Sequence, residues 1–239
     1  MNDTMWLYAS AVLIAVIHTL LGPDHYLPFV AMARAGGWST RKTATVTVLC
    51  GFGHVLGSVA LGLLGLGAGI ALTQVERWEQ FRSNVAGWLL LGFGVAYLVW
   101  GVRRAIRNQP HTHLHVHADG TVHSHEHTHH AEHVHVHARS KQRCEAGGYT
   151  PWILFTVFLF GPCEPLIPLL MYPAASRDFA AVLGVVVLFG VTTATTMLIL
   201  VLIATRAGAA SLPSRFARYG HALAGVVIVS CGVAVQLGL

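Results

Sequence analysis

The sequence predicts an all-α integral membrane protein with six transmembrane helices, arranged as two inverted three-helix repeats. The chain of 239 residues is 54% hydrophobic and only 10% charged, whereas a soluble domain has roughly 25% charged residues. It also contains six apolar stretches close to or above the ~20 residues that cross a bilayer. This composition argues against a soluble enzyme and against a disordered chain.

The six predicted spans divide the chain into three regions. Residues 1–104 hold the first three-helix repeat, residues 105–149 form a histidine-rich loop, and residues 150–239 hold the second repeat. No Lys or Arg precedes the first apolar stretch, which favours a retained helix over a cleaved signal peptide. The predicted spans cover residues 5–33, 44–72, 85–102, 151–171, 180–204 and 219–239.

The distribution of basic residues predicts the orientation of the chain. Twelve of the 15 Lys and Arg residues fall on one side of the six-span topology. The positive-inside rule places that side in the cytoplasm. We therefore expect a protein of the plasma (inner) membrane with both termini outside and a cytoplasmic loop at residues 105–149. The concentration of Lys and Arg on the cytoplasmic side accounts for the net positive charge of the chain. No nucleic-acid partner is therefore expected.

Sequence matches between the two halves predict the inverted repeat. The segment Gly22–His25 matches Gly161–Glu164 at an offset of 139 residues, and Pro23 and Pro162 are predicted to interrupt helices 1 and 4. An odd number of spans in each half inverts the second repeat, as in many secondary transporters. Weaker matches pair Phe52-Gly53 with Phe189-Gly190, Ala86-Gly87 with Ala224-Gly225, and Gly94-Val95-Ala96 with Gly232-Val233-Ala234.

Ionisable side chains inside the predicted spans are the first candidates for function. A charge at the centre of a membrane helix costs about 2.5–3.5 kcal/mol on insertion scales. The helix break is expected to fold His25 back toward His18. Imidazole and carboxylate donors suit divalent ions such as Ni²⁺, Co²⁺ and Zn²⁺. We therefore predict metal ligation by His18, Asp24, His25 and His54.

Five further residues are candidates for metal ligation or coupling. Cys163 and Glu164 follow the second Gly-Pro pair, and Glu164 is expected to act as a gate or a proton-coupled carboxylate. The other three are Thr192, Thr193 and Thr196 of the fifth span. The alternatives are a buried, inert Cys163 and threonines that serve helix packing. Two predicted ligands of the first half also have alternatives without metal. Asp24 could lie at a helix end, and His54 could donate a hydrogen bond to a backbone carbonyl.

Twelve of the 16 histidines lie in residues 111–137, a composition typical of metal binding. Alternation at period two predicts a β-hairpin here. A three-residue turn at 118–120 would pair His115 with His123 and His113 with His125, whereas a two-residue turn would place each histidine opposite another residue type. The predicted accessory ligands are His111, His113, His115, His117, His123, His125, His127, His129, His130, His133, His135 and His137.

Three segments resemble motifs of the nickel/cobalt transporter superfamily, which includes uptake permeases and efflux permeases with histidine-rich loops. His18–His25 is similar to the family's H-A-x-D-A-D-H signature, with one extra residue. Phe52–Ser58 is similar to the L-G-H-S element of the next helix. Val191–Thr196 resembles F-D-T-A-T-E, with threonine in place of both acids. The resemblance implies a permease, not an enzyme, in which the matching His and Asp residues bind the metal.

The expected function is secondary transport of a divalent transition metal, most favourably nickel or cobalt and also zinc. A cytoplasmic histidine-rich loop favours export over uptake. The lipid bilayer and the metal ion are the expected partners, a second copy of the chain is a further candidate, and no prosthetic group is expected. One alternative is a thiol-disulfide electron-transfer protein using Cys163, because Gly161–Pro168 resembles the proline-cysteine motif of cytochrome-biogenesis transporters. Another is a sulfite or anion exporter, which requires a core arginine, and the predicted spans contain none.

Overall fold

The fold is helical, apart from one short β-hairpin. In this computed structural model, residues 2–107, 111–116, 122–127, 150–161, 163–207 and 218–238 are described. Among them, the four helical segments Asp3–Leu21, Thr40–Gly65, Leu72–Arg107 and Phe179–Ala207 are long and apolar enough to cross a membrane, as expected of an integral membrane protein. The elements are α1 Asn2–Leu21, α2 Leu27–Ala35, α3 Thr40–Gly67, α4 Leu72–Arg107, β1 His111–Val116, β2 Val122–His127, α5 Thr150–Phe160, α6 Leu166–Ala175, α7 Phe179–Ala207 and α8 Gly220–Gln236.

Both helix interruptions lie where the Gly-Pro pairs predict them. Helix α1 ends at Leu21, and the short 3₁₀ helix Pro23–His25 connects it to α2. Helix α5 ends at Phe160, and α6 begins at Leu166. Proline favours such ends because it lacks the N–H that a continuing helix requires. The first interruption lies between Leu21 and Leu27 and the second between Phe160 and Leu166, and Pro162 of the second lies outside the described residues.

The third helix is longer than the sequence predicted. Helix α4 covers Leu72–Arg107 rather than residues 85–102. The additional N-terminal turns carry four charged residues, which lower the hydropathy of that stretch. The helix nevertheless continues through them, because Val75 and Glu79 lie on its buried face. These turns also contain Arg82, which lies outside the predicted span and pairs with Glu79 at 2.7 Å.

Helices α4 and α8 pack against each other in an antiparallel arrangement with their backbones close together. A Cβ atom added to Gly94 would lie 2.7 Å from the backbone nitrogen of Val229. A Cβ atom added to Gly232 would lie 2.7 Å from the backbone nitrogen of Leu91. Small residues permit this approach between apolar helices, where close van der Waals packing stabilises association.

Two other helix pairs bring the two halves of the chain together around α3. Helix α1 packs against α7, and α5 packs against α3. One apolar core joins Phe29 of α2, Phe158 of α5 and Met197 of α7. A second core joins Val55 of α3 with Phe189 of α7. This packing places both helix interruptions next to α3.

Strands β1 and β2 form an antiparallel hairpin in the histidine-rich loop. Its register pairs His111 with His127, His113 with His125, and His115 with His123. The predicted His–His register is therefore confirmed, and the alternative with each histidine opposite another residue type is wrong. The predicted turn at residues 118–120 lies outside the described residues.

The hairpin register is testable in solution. We expect NMR of the metal-loaded protein to give a cross-strand contact between the backbones of His115 and His123, because these residues are directly opposed. A shift of one residue would instead place His115 opposite Val122 or Ser124, so contacts with those residues are the internal control. Absence of the His115–His123 contact in the loaded protein would contradict the hairpin.

Candidate metal centre

The first interruption brings His25 of the 3₁₀ helix against His18 of α1. The two ring centroids lie 4.6 Å apart, with the rings nearly perpendicular. A Cβ atom added to Gly22 would lie 2.8 Å from Cε1 of His25, so glycine permits this close approach. The predicted folding of His25 toward His18 is therefore present.

Hydrogen bonds orient the His25 ring toward the other histidines. His25 Nδ1 lies 3.1 Å from the carbonyl oxygen of Gly22 and 3.1 Å from Oδ1 of Asp24. Both oxygens are acceptors, so these contacts assign the ring proton of the neutral imidazole to Nδ1. The lone pair on Nε2 is then available, and a carboxylate behind a ligating imidazole increases its basicity. Asp24 therefore orients His25 in addition to being a candidate ligand itself.

His54 of α3 completes a cluster of three imidazoles. Its ring centroid lies 4.9 Å from that of His25 and 6.3 Å from that of His18. His54 is 2% exposed. Within the described part of the chain, neither ring nitrogen of His54 has a hydrogen-bond partner, nor does Nε2 of His18 or His25. Burying such polar atoms without partners costs about 1–3 kcal/mol each. Several such nitrogens close together are expected where the side chains bind a ligand.

Cys163 brings the second half of the chain to this cluster. One ligand atom from each of His18, His54 and Cys163 lies within 4.8 Å of the other two. Tetrahedral ligands at metal bond lengths of 2.0–2.3 Å would be roughly 3.3–3.8 Å apart. A bound ion would therefore draw these groups together by about 1 Å. The cluster gathers the predicted ligands His18 and His54 with Cys163, a secondary candidate.

Two cavities border the cluster. A small cavity of about 20 Å³ lies between Asp24 and His54, which is space for one water molecule or ion. A larger open cleft of about 420 Å³ is lined by His18, Asp24, His25 and Glu164. Glu164 is exposed at this cleft rather than placed among the imidazoles. The cleft provides access to the histidine cluster from the surface.

The sequence analysis missed a buried polar network beside Cys163. Glu79 Oε1 accepts hydrogen bonds from Ser58 Oγ at 2.5 Å and from the Cys163 backbone N–H at 2.9 Å. Arg82 donates to the carbonyl oxygen of Gly161 at 2.9 Å. The signal that identifies this network is spacing, because Glu79 falls on the same helix face as buried Val75. An acid on an apolar helix face indicates a buried partner.

The remaining predicted residues lie away from these contacts or outside the described residues. In α7, Thr193 is fully buried, and Thr192 and Thr196 are half-buried. Among the described residues, the Thr193 hydroxyl has no hydrogen-bond partner. The accessory histidines outside the described residues are His117, His129, His130, His133, His135 and His137.

A buried group of imidazoles, a thiol and a nearby carboxylate provides donors that borderline divalent metals prefer. The donors come from α1, the first interruption, α3 and the second interruption, so they lie between the two halves of the chain. No protein-family model, curated protein or solved structure matches this chain.

Proposed function

We propose that this protein is a secondary transporter for a divalent transition metal, with nickel or cobalt as the favoured ions. The observation that carries the proposal is the convergence of His18, His25 and His54 with ring nitrogens that are buried and, among the described residues, unpartnered. Three imidazoles 4.6–6.3 Å apart in an apolar helical protein are costly unless a ligand satisfies them. A metal ion would be held by His18 and His54 together with Cys163, whose ligand atoms lie within 4.8 Å of one another, with His25 beside them.

The donor set supports a borderline rather than an alkaline-earth ion. Calcium and magnesium prefer carboxylate and carbonyl oxygens, whereas imidazole and thiolate favour zinc, cobalt and nickel. Cys163 adds a soft donor to the nitrogen ligands, which strengthens the case for cobalt and extends it to zinc. Because Cys163 belongs to the second half and the histidines to the first, one ion would bridge both halves.

The packing of α4 and α8 supports two inverted three-helix repeats. Gly94 lies against Val229, and Gly232 lies against Leu91. The offset of 138 residues that relates Gly94 to Gly232 also relates Leu91 to Val229, so the two contacts are equivalent under a two-fold repeat. The same offset relates the contact of Gly87 with Gln236 to that of Leu98 with Gly225.

The turns after the interrupted helices support the same repeat. Gly37 follows α2 with a φ of 58°, and Arg177 follows α6 with a φ of 54°. Non-glycine residues rarely adopt this left-handed conformation. The same left-handed conformation therefore follows the interrupted helix in both halves of the chain, which favours an origin of the two halves from one three-helix unit.

Alternating access follows from a site between inverted repeats. Neutral imidazoles bind the metal that enters through the cleft beside Glu164, and the two halves then rock around the bound ion. Protonation of the imidazoles on the other side releases it, because metal and proton compete for the same lone pair. The histidine hairpin would collect ions on the cytoplasmic side, which favours export over uptake.

Arg82 does not support the alternative of a sulfite or anion exporter. Its guanidinium pairs with Glu79 at 2.7 Å and donates to backbone carbonyls of Leu159 and Gly161. Its charge is therefore matched within the protein, whereas an anion site needs an available cation. Among the described residues, Cys50, Cys163 and Cys231 are free thiols, so no disulfide joins Cys163 to either of the other two, and the thiol-disulfide alternative gains no support from them.

Transport of radioactive Ni²⁺ or Co²⁺ by membrane vesicles tests the proposal. We expect His18→Ala to lower the initial transport rate at least about 10-fold, because it removes a metal ligand. Loss of a residue that only orients a ligand already lowers metal affinity or activity by about 10–100-fold. Deletion of residues 111–137 should lower the rate less, because the loop only gathers ions. Normal transport by His18→Ala would contradict the core site, and an effect of the deletion alone would make the loop the functional element.

A further inference from the structure

The interruption between α5 and α6 is stabilised by side chains from another helix. Arg82 of α4 donates to the carbonyl oxygens of Leu159 at 3.3 Å and Gly161 at 2.9 Å. Glu79 of α4 accepts the backbone N–H of Cys163 at 2.9 Å. In a continuous helix these backbone groups would bond within the helix. One ion pair on α4 thus supplies the partners that the interruption needs.

In this ion pair Glu79 is buried and Arg82 is largely buried. The Glu79 side chain is 1% exposed, and that of Arg82 is 15% exposed. Besides Arg82 and the Cys163 N–H, Glu79 accepts the hydroxyl of Ser58 on α3 at 2.5 Å. Removing one member of a buried charged pair leaves the other uncompensated, which is strongly unfavourable. The network therefore fixes the interruption relative to α3 and α4 together.

The two interruptions are held in different ways. In the first, His25 bonds the Gly22 carbonyl, so this segment supplies its own partner. In the second, the partners come from Glu79 and Arg82 of α4, with Ser58 Oγ of α3 as a longer acceptor of the Cys163 N–H at 3.2 Å. The backbone of Cys163 is therefore anchored to α4, while its sulfur belongs to the group with His18 and His54.

We infer that Glu79 and Arg82 are positioning residues that hold Cys163 where its sulfur completes the metal site. The inference rests on the proposed metal-transport function. The network acts through the Cys163 backbone, since Glu79 bonds the N–H of that residue. Releasing the anchor would let the interruption relax and withdraw the thiol from the two imidazoles.

Binding of Co²⁺ to the purified full-length protein tests this role, because a thiolate ligand gives cobalt a near-ultraviolet charge-transfer band. We expect Glu79→Gln and Arg82→Lys to lose this band and to bind Co²⁺ about 10–100-fold more weakly, the usual effect of removing a group that orients a ligand. Glu76→Gln and Arg77→Lys are the matched controls, exposed on the same helix. An unchanged band in both Glu79→Gln and Arg82→Lys would overturn the inference.

A second comparison separates positioning from general damage. Residues that act through one another are non-additive, so Glu79→Gln should weaken Co²⁺ binding no further once Cys163→Ser has removed the thiol. An equal loss of affinity with and without Cys163 would show that Glu79 acts by another route, and would overturn the inference.

Alkylation of Cys163 by a membrane-permeant maleimide gives a readout without metal. In protein carrying Cys50→Ala, Cys144→Ala and Cys231→Ala, we expect Glu79→Gln to raise the labelling rate of the fully buried Cys163 at least several-fold. Equal acceleration at Cys50, measured in protein that retains it, would mean general unfolding and overturn the inference. Absence of Co²⁺ binding together with selective acceleration at Cys163 would reject the metal function but retain the positioning role.

Discussion

His54→Ala is expected to weaken Co²⁺ binding by at least about 100-fold, more than the effect of losing a group that only orients a ligand. One ligand atom of His54 lies within 4.8 Å of ligand atoms of both His18 and Cys163, and His54 is 2% exposed. Its removal leaves His18 and Cys163 without the third donor of this group. Titration calorimetry of the purified protein at a fixed pH measures the change. The accessory histidines are unchanged, so weak loop binding should persist.

His221→Ala is the matched control for this substitution. His221 also lies in an apolar helix, but its Nδ1 is 2.7 Å from the hydroxyl of Tyr97, so its ring nitrogen is already occupied. We expect Co²⁺ affinity to remain within about threefold of the wild type. The Tyr97–His221 hydrogen bond joins α4 to α8 and involves none of the proposed metal ligands, so its loss should act independently of the metal site. Equal losses in His54→Ala and His221→Ala would contradict a site that includes His54.

Gly94→Ala is expected to destabilise the protein by about 1–3 kcal/mol, the usual cost of inserting a methyl group into a close-packed interface. The added Cβ would lie 2.7 Å from the Val229 nitrogen and 3.1 Å from the carbonyl carbon of Ile228. These are backbone atoms, so a side-chain rotation cannot relieve the overlap. Thermal unfolding in detergent should show a fall in Tm of roughly 2–4 °C for each kcal/mol.

Gly92→Ala on the same helix is the control for Gly94→Ala. Among the described residues, and apart from its chain neighbours and the backbone of its own helix, no atom lies within 4 Å of a Cβ added at Gly92. We expect an unchanged or slightly higher Tm, since alanine is the better helix former. A similar fall in both variants would mean that the close α4–α8 contact does not determine the effect.

The features that the sequence predicted well share a local cause. Proline and glycine determine both helix interruptions through backbone chemistry that depends on a few adjacent residues. The proximity of His18 and His25 follows from the first interruption and their spacing. The hairpin register follows from alternation and the length of a turn. Each of these features requires no knowledge of which distant helices touch.

The features that the sequence did not predict depend on contacts between distant segments. Glu79 and Arg82 lower the hydropathy at the start of α4, so the sequence alone does not predict that this stretch is buried. Their ion pair and its contacts with other helices are seen only in the folded structure. Their contact with residues 159–163 crosses about 80 positions of the chain. The closeness of Cys163 to His18 and His54 has the same origin. The apolar composition predicted a helical membrane protein, and four of the described helices are long and apolar enough to cross a membrane, but it did not predict which helices contact one another.

X-ray absorption spectroscopy of the Cys144→Ser protein loaded with one equivalent of Co²⁺ tests the central claim most directly. The histidine-rich segment 111–137 contains no cysteine, so sulfur bound to cobalt identifies the core site. We predict one sulfur neighbour at about 2.3 Å together with nitrogen neighbours at about 2.0–2.1 Å, the distances typical of zinc with thiolate and imidazole. Cys163→Ser should remove the sulfur contribution. Cobalt surrounded only by nitrogen and oxygen in both proteins would contradict a metal site shared by the two halves of the chain.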